Sequence, residues 1–149
     1  MNISSQNELM WPTVHLSNHL QQTTKLSSSA RNLLDVFVTF MRPEDNLVYF
    51  SDHGMSFYIQ YCEHNLHLNY SEKTIRNALT ELNRAELMLR AQNNIYYVNP
   101  LYSFKWSKNF DHRKIINTVQ ERTGKILLNN IKVLHIPDDK VNSSTNNCE

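Results

Sequence analysis

The clearest pattern of apolar and polar positions in this chain lies over residues 71–84. Apolar side chains recur there at i, i+3, i+4 and i+7: Ile75, Ala78, Leu79 and Leu82. This spacing is typical of a helix with one buried face. Ser71 is a favourable N-cap, and Glu72 suits the positive end of the helix dipole. The pattern therefore predicts an amphipathic helix whose opposite face is polar and free of packing.

Two further helical segments and a short extended run precede this helix. Helical spacing of apolar residues from 29 to 41 predicts a first helix, which Pro43 ends because proline disfavours helical backbone before it and lacks an N–H. The β-favouring run 47–50 predicts a strand, and a second helix is expected to end near Asn65. The expected N-caps are Ser28 or Ser29 for the first helix and Ser51 or Asp52 for the second.

The part of the chain after residue 84 alternates extended and polar segments. Residues 87–91 and 95–98 are extended runs around Gln92, Asn93 and Asn94, and asparagine tolerates the positive φ of a hairpin turn. A third, aromatic stretch follows at 101–106. Apolar spacing over 112–123 predicts a last helix that ends at Gly124.

The order of these elements predicts an α+β fold, a winged helix-turn-helix. We expect a three-helix core with a β-hairpin wing and an extra C-terminal helix. The predicted divisions are a flexible N-terminal arm (1–28) with room for a short ordered piece around residues 9–20, the winged-helix domain (29–106), a C-terminal helical extension (107–135) and a disordered tail (136–149).

Composition narrows the possible functions. Only Gly54 and Gly124 are glycines, which excludes the glycine-rich phosphate loops of Rossmann and P-loop proteins. Two cysteines in unlike surroundings favour reduced thiols. No signal peptide and no membrane-length apolar run is visible, so we expect a cytoplasmic protein without membrane association.

The net charge of +1 conceals an uneven distribution. Residues 1–70 carry three basic and six acidic side chains, whereas residues 71–114 carry eight basic and four acidic ones. A local positive field matters more for DNA binding than the total charge.

These features together predict a double-stranded DNA interface. In a winged helix the third helix enters the major groove and the hairpin tip approaches the backbone. The helix residues expected at this interface are Ser71, Lys73, Thr74, Arg76, Asn77, Thr80 and Arg84. Those of the hairpin are Arg90, Gln92, Asn93 and Asn94. Expected phosphate contacts are Lys25, Arg31, Lys105 and Lys108.

The seven histidines do not build a recognisable metal or catalytic set. His15 and His19 are spaced i, i+4, and His64 and His67 are spaced i, i+3, but no cysteine or carboxylate pair completes a zinc site. A DNA nickase needs two histidines flanking one apolar residue, plus a tyrosine nucleophile, and His64-Asn65-Leu66-His67 has the wrong spacing. We therefore expect no metal, no cofactor and no enzymatic activity; an origin-nicking enzyme remains the alternative from that class.

The segment from Ser71 to Trp106 resembles plasmid replication initiators of the RepL type. The matching stretches are SEKTIRNALTELNRAELMLR and IYYVNPLYSFKW, and the upstream SSSARNLLDVFVTFMRPEDNLVYFS is similar to the opening helix and strand of that family. The likeness is most specific at Tyr97-Val98-Asn99-Pro100 and Phe104-Lys105, and it covers about residues 26 to 107. One departure is Trp106, where the family tends to have glycine.

The resemblance implies a protein that binds its plasmid origin and recruits host replication proteins. A homodimer would use residues 101–106 and the last helix for its contact. A transcriptional repressor of the same fold, and a winged helix that binds only protein, remain alternatives.

Overall fold

Helices and short antiparallel strands follow one another along the chain. A computed structural model describes residues 13–15, 23–106 and 111–127, and within them the fold is mixed α+β. The described helices are α1 (Ser28–Phe40), α2 (Gly54–Leu66), α3 (Glu72–Arg84) and α4 (His112–Thr123). The described strands are β1 (Thr13–His15), β2 (Leu47–Tyr49), β3 (Met88–Gln92), β4 (Ile95–Val98) and β5 (Ser103–Lys105).

Three of these strands form an antiparallel sheet in the order β2-β4-β3. The two faces of the sheet belong to different hydrophobic clusters because strand side chains alternate in direction. Val48, Met88 and Val98 join the cluster of α1, α2 and α3. Leu89 and Tyr97 point to the other side and pack in a second cluster with α4. The sheet is therefore covered on both faces.

The helix α1 lies at the centre of the larger cluster. Leu33 and Phe37 are fully buried, and the ring of Phe37 meets those of Phe50 and Tyr58 edge to face, with centroids 5.3 and 5.2 Å away. The helix ends at Phe40, two residues before Arg42, the residue that Pro43 restricts. It also packs directly against α3, so α3 is held by its apolar stripe.

The helix α4 is fastened to the rest of the fold by a buried carboxylate. Asp45 is 5% exposed and accepts from Nε of Arg42 at 2.9 Å and from an Arg122 nitrogen at 2.8 Å. The same Arg122 nitrogen lies 3.1 Å from the hydroxyl of Tyr97, on β4. Gly124 ends the helix with φ +71°, as predicted. The predicted C-terminal extension thus packs onto the sheet over 111–127.

Two helix starts differ from the expected ones. The N-cap of α1 is Ser27, whose Oγ accepts from the N–H of Ala30 at 3.2 Å. The N-cap of α2 is His53, which makes no side-chain capping bond. The backbone of Asp52 is in the left-handed region, with φ +55°, in the turn of residues 51–53 that precedes the helix.

The aromatic stretch after the hairpin is buried inside its own chain. The strand β5 pairs with β1, with Val14 opposite Phe104, so a strand lies within the segment predicted to be a flexible arm. Residues 101–105 are all buried, and the apolar positions of α4 face the sheet. Of the stretch that the sequence suggested for a dimer contact, residues 101–105 are therefore covered by the chain itself, whereas Trp106 is 51% exposed.

Candidate nucleic-acid interface

One row of side chains runs along α3 directly opposite its buried stripe. Lys73, Asn77, Thr80 and Arg84 follow one another at steps of four, three and four residues, which places them on one side of a helix. All four are exposed. At 1.5 Å per residue the row is about 16 Å long, and the major groove, about 12 Å wide, admits a helix. We call these four residues the α3 row.

Three of the four α3-row residues have side chains free to meet a ligand. Within the described ranges, Lys73, Asn77 and Arg84 have no hydrogen-bond or ion-pair partner, whereas the Oγ1 of Thr80 donates to the carbonyl of Arg76 at 3.1 Å. An exposed lysine, asparagine and arginine offer donors for phosphate and base edges, and the asparagine amide also accepts.

The hairpin of β3 and β4 lies beside the α3 row and is tied to α3 at two points. The guanidinium of Arg76 donates to Oε2 of Glu72 at 3.0 Å and to Oδ1 of Asn94, at the hairpin tip, at 3.1 Å. Seven residues along α3, Oδ1 of Asn83 accepts from the N–H of Arg90 at 3.2 Å. Residues seven apart lie on the same side of a helix, so both contacts face the hairpin.

The hairpin tip presents polar side chains next to α3. Asn94 is left-handed, with φ +65°, as expected of asparagine in this turn. Arg90, Gln92 and Asn93 are exposed, and Arg90 reaches Oδ1 of Asn93 at 3.5 Å. The predicted hairpin residues are thus brought together with the α3 row.

The other flank of α3 meets the start of α1. Glu81 accepts from both the N–H and the Oγ of Ser27, each at 2.8 Å. Lys25, which is exposed, precedes Ser27 by two residues and so lies near this flank of α3. Arg31 is exposed but its guanidinium donates to the carbonyls of Thr23 and Leu26, so it also organises the segment before α1.

At the start of α3, two of the predicted residues serve the helix itself. The Oγ of Ser71 accepts from the N–H of Thr74 at 3.1 Å and lies 3.1 Å from that residue's hydroxyl. Both residues therefore set where the helix begins, and Ser71 remains exposed beside the α3 row.

The structure contradicts the expectation that Lys105 contacts phosphate. Lys105 is 5% exposed, and its Nζ donates to the carbonyls of Thr39 and Met41 at 2.6 and 3.1 Å. Those carbonyls lie at the end of α1, where a cation is favourable, while burial lowers the pKa of the ammonium. Lys108 lies outside the described residues.

Sequence reasoning missed two residues that shape this surface. Neither Glu81 nor Asn83 was predicted to be part of this surface. Glu81 lies four residues after Asn77, and Asn83 lies seven residues after Arg76, so the two residues fall on opposite flanks of α3. Their partners, Ser27 and Arg90, lie on other elements, and only the folded chain reveals those contacts.

Comparison of the chain with protein-family models, with curated proteins and with solved structures finds no match. Over the ranges described, no helix has the length and apolar content to span a membrane. The same ranges contain no group of three His, Cys, Asp or Glu side chains arranged to hold a metal ion.

Proposed function

We propose that this protein is a winged helix-turn-helix that binds double-stranded DNA sequence-specifically. The observation that carries the proposal is the α3 row: four polar side chains in line, exposed, on a helix fixed by its opposite face. The β2-β4-β3 sheet order and the hairpin beside α3 support the winged-helix assignment.

In this proposal the α3 row enters the major groove. Asn77, near the middle, has the donor and acceptor that pair with adenine, while the methyl group of Thr80 suits thymine. Lys73 and Arg84 lie at the two ends and reach either guanine or phosphate. Arg90 and the hairpin tip approach the adjacent backbone, and Lys25 adds a phosphate contact on the other flank.

Replacing Asn77 by alanine tests this function. A binding site is first selected from random duplex DNA, and affinities are then measured by fluorescence anisotropy. Losing one base contact costs about 1–3 kcal/mol, so we expect about a 5- to 150-fold weaker Kd and relaxed preference at one base pair. The matched control is Asn117→Ala, the same change at an exposed position of α4, which should leave Kd unchanged.

Two results would contradict the proposal: a selection that enriches no sequence, or an Asn77→Ala protein with unaltered specific affinity. A circular-dichroism melt of both variants establishes that each remains folded. Exposed substitutions away from caps and core change stability little, so folding should not obscure the comparison.

We further propose that the DNA site is a plasmid origin and that host replication proteins are recruited there. The resemblance of residues 26 to 107 to RepL-type initiators supports this role. A plasmid carrying the gene and its flanking DNA should stop replicating with Asn77→Ala but not with Asn117→Ala. Altered transcription with normal replication indicates the repressor, and metal-dependent nicking of supercoiled origin DNA indicates the nickase.

A further inference from the structure

Arg76 differs from the other cations of α3 in having its guanidinium occupied. Within the described residues, Lys73 and Arg84 have no polar partner, whereas Arg76 contacts Glu72 on its own helix and Asn94 on the hairpin. Arg76 stands one residue before Asn77 and so is turned about 100° away from the α3 row, toward the hairpin. To contact DNA, as the sequence predicted for it, Arg76 would have to leave both partners.

The contact has the form of a bridge between two elements. The planar guanidinium presents donors in a fixed fork, and here one nitrogen donates to Glu72 while another donates to Asn94. Glu72 thereby orients the fork toward the tip. The tip residue is also held by its backbone, since the carbonyl of Asn94 accepts from the N–H of Phe50 at 2.9 Å.

We infer that Arg76 is a positioning residue that holds the hairpin tip against α3, so that the α3 row and the hairpin meet DNA as one preformed surface. The effect on DNA affinity rests on the proposed DNA-binding function, whereas the position of the hairpin tip is a property of the free protein. Preorganising two contacting elements lowers the ordering cost of binding.

The first measurement therefore needs no DNA. Hydrogen exchange and ¹⁵N relaxation of residues 92–94 should show a more mobile tip in Arg76→Ala and in Asn94→Gly. Asn94→Asp keeps a side-chain acceptor for Arg76 and should keep the tip ordered; both glycine and aspartate tolerate the positive φ at this position. Arg84→Ala, on the α3 row, is the matched control that should leave the tip unchanged.

The second measurement uses the selected DNA site. Arg76→Ala and Asn94→Gly should each weaken binding about tenfold, and the double variant should lose little more, because both remove the same bridge. Preference at individual base pairs should be unchanged. Arg76→Lys should also weaken binding, since the lysine ammonium lacks the planar fork whose two nitrogens meet Glu72 and Asn94 here.

Each outcome has a distinct meaning. An unchanged tip in Arg76→Ala overturns the inference. Relaxed preference at one base pair in that variant also overturns it, because this result identifies a base reader. Full affinity in Arg76→Lys overturns it as well, because this result identifies a phosphate contact. If the unaltered protein selects no DNA, the proposed function fails, while the mobility of residues 92–94 still decides whether Arg76 positions the hairpin.

Discussion

The buried carboxylate of Asp45 joins two separate parts of the fold. It links Arg42, at the end of α1, to Arg122, on α4, whose guanidinium also lies 5.9 Å from the centre of the Tyr97 ring. Both arginines are about half exposed, which reduces the strength of each pair through solvent screening. We expect Asp45→Asn to lower the free energy of unfolding by about 1–2 kcal/mol, measured by urea denaturation.

The same carboxylate sets a pH dependence. Burial alone raises the pKa of Asp45, but the hydrogen bond and charge of Arg42, with the Leu47 N–H and Arg122, outweigh it and hold the pKa below its ordinary value. This stabilisation is complete above the unfolded-state pKa and is lost as the pH falls through the folded-state pKa. The unfolding free energy of Asp45→Asn should lack this part of the acid dependence, whereas Glu44→Gln, which removes an exposed neighbouring charge, should retain it. An Asp45→Asn protein whose stability falls with acid as the unaltered protein's does would contradict the assignment.

At the scale of elements, the start of α2 depends on close approach to β2. A Cβ at Gly54 would overlap the carbonyl oxygen of Tyr49, a backbone atom that cannot rotate away. Gly→Ala in a helix usually stabilises, by roughly 1 kcal/mol, but here the strand or the helix has to move. We expect Gly54→Ala to destabilise by about 1–3 kcal/mol. Ser56→Ala, an exposed control on the same helix, should be neutral or slightly stabilising, and a gain in stability for Gly54→Ala would show that the approach is not tight.

The sequence predicts the elements whose signals are local, but it does not reveal the contacts that join distant segments. The predicted start of α3 was correct because Ser71 and the apolar stripe that begins at Ile75 act within one helix. The role of Lys105 was wrong because its partners lie at the end of α1, more than sixty residues earlier. The bridge between Arg76 and Asn94 escaped sequence analysis for the same reason: neither residue type indicates that the other is near.

The motif that suggested a replication initiator has a structural explanation at this scale. In Tyr97-Val98-Asn99-Pro100, Val98 is in the main core and Tyr97 bonds to Arg122. The side chain of Asn99 donates to the carbonyl of Glu86 at 2.8 Å and accepts from the N–H of Leu101 at 2.8 Å, which fixes the turn after β4. The motif therefore stabilises the fold of this chain, and the proposed origin binding depends on the α3 row.

At the scale of the whole molecule, the net charge of +1 gives little general attraction for DNA, so the proposed binding has to come from one side of the molecule. Residues 1–70 are net negative and residues 71–114 are net positive, and Lys25 is one of three basic side chains in the first of these segments. Each phosphate contact contributes about 0.9 to the slope of log K against log salt. Removing Lys25, which we assign to phosphate, should reduce that slope by about one and weaken all sequences equally.

Salt titration of three variants checks this division between attraction and sequence preference. Lys25→Ala should change the slope without changing base preference, and Asn77→Ala should change base preference without changing the slope. Lys125→Ala, an exposed lysine that follows α4, removes the same charge outside the proposed interface and should change neither. If Lys125→Ala lowers the slope as much as Lys25→Ala does, DNA responds to the charge of the whole chain, and the one-sided interface is wrong.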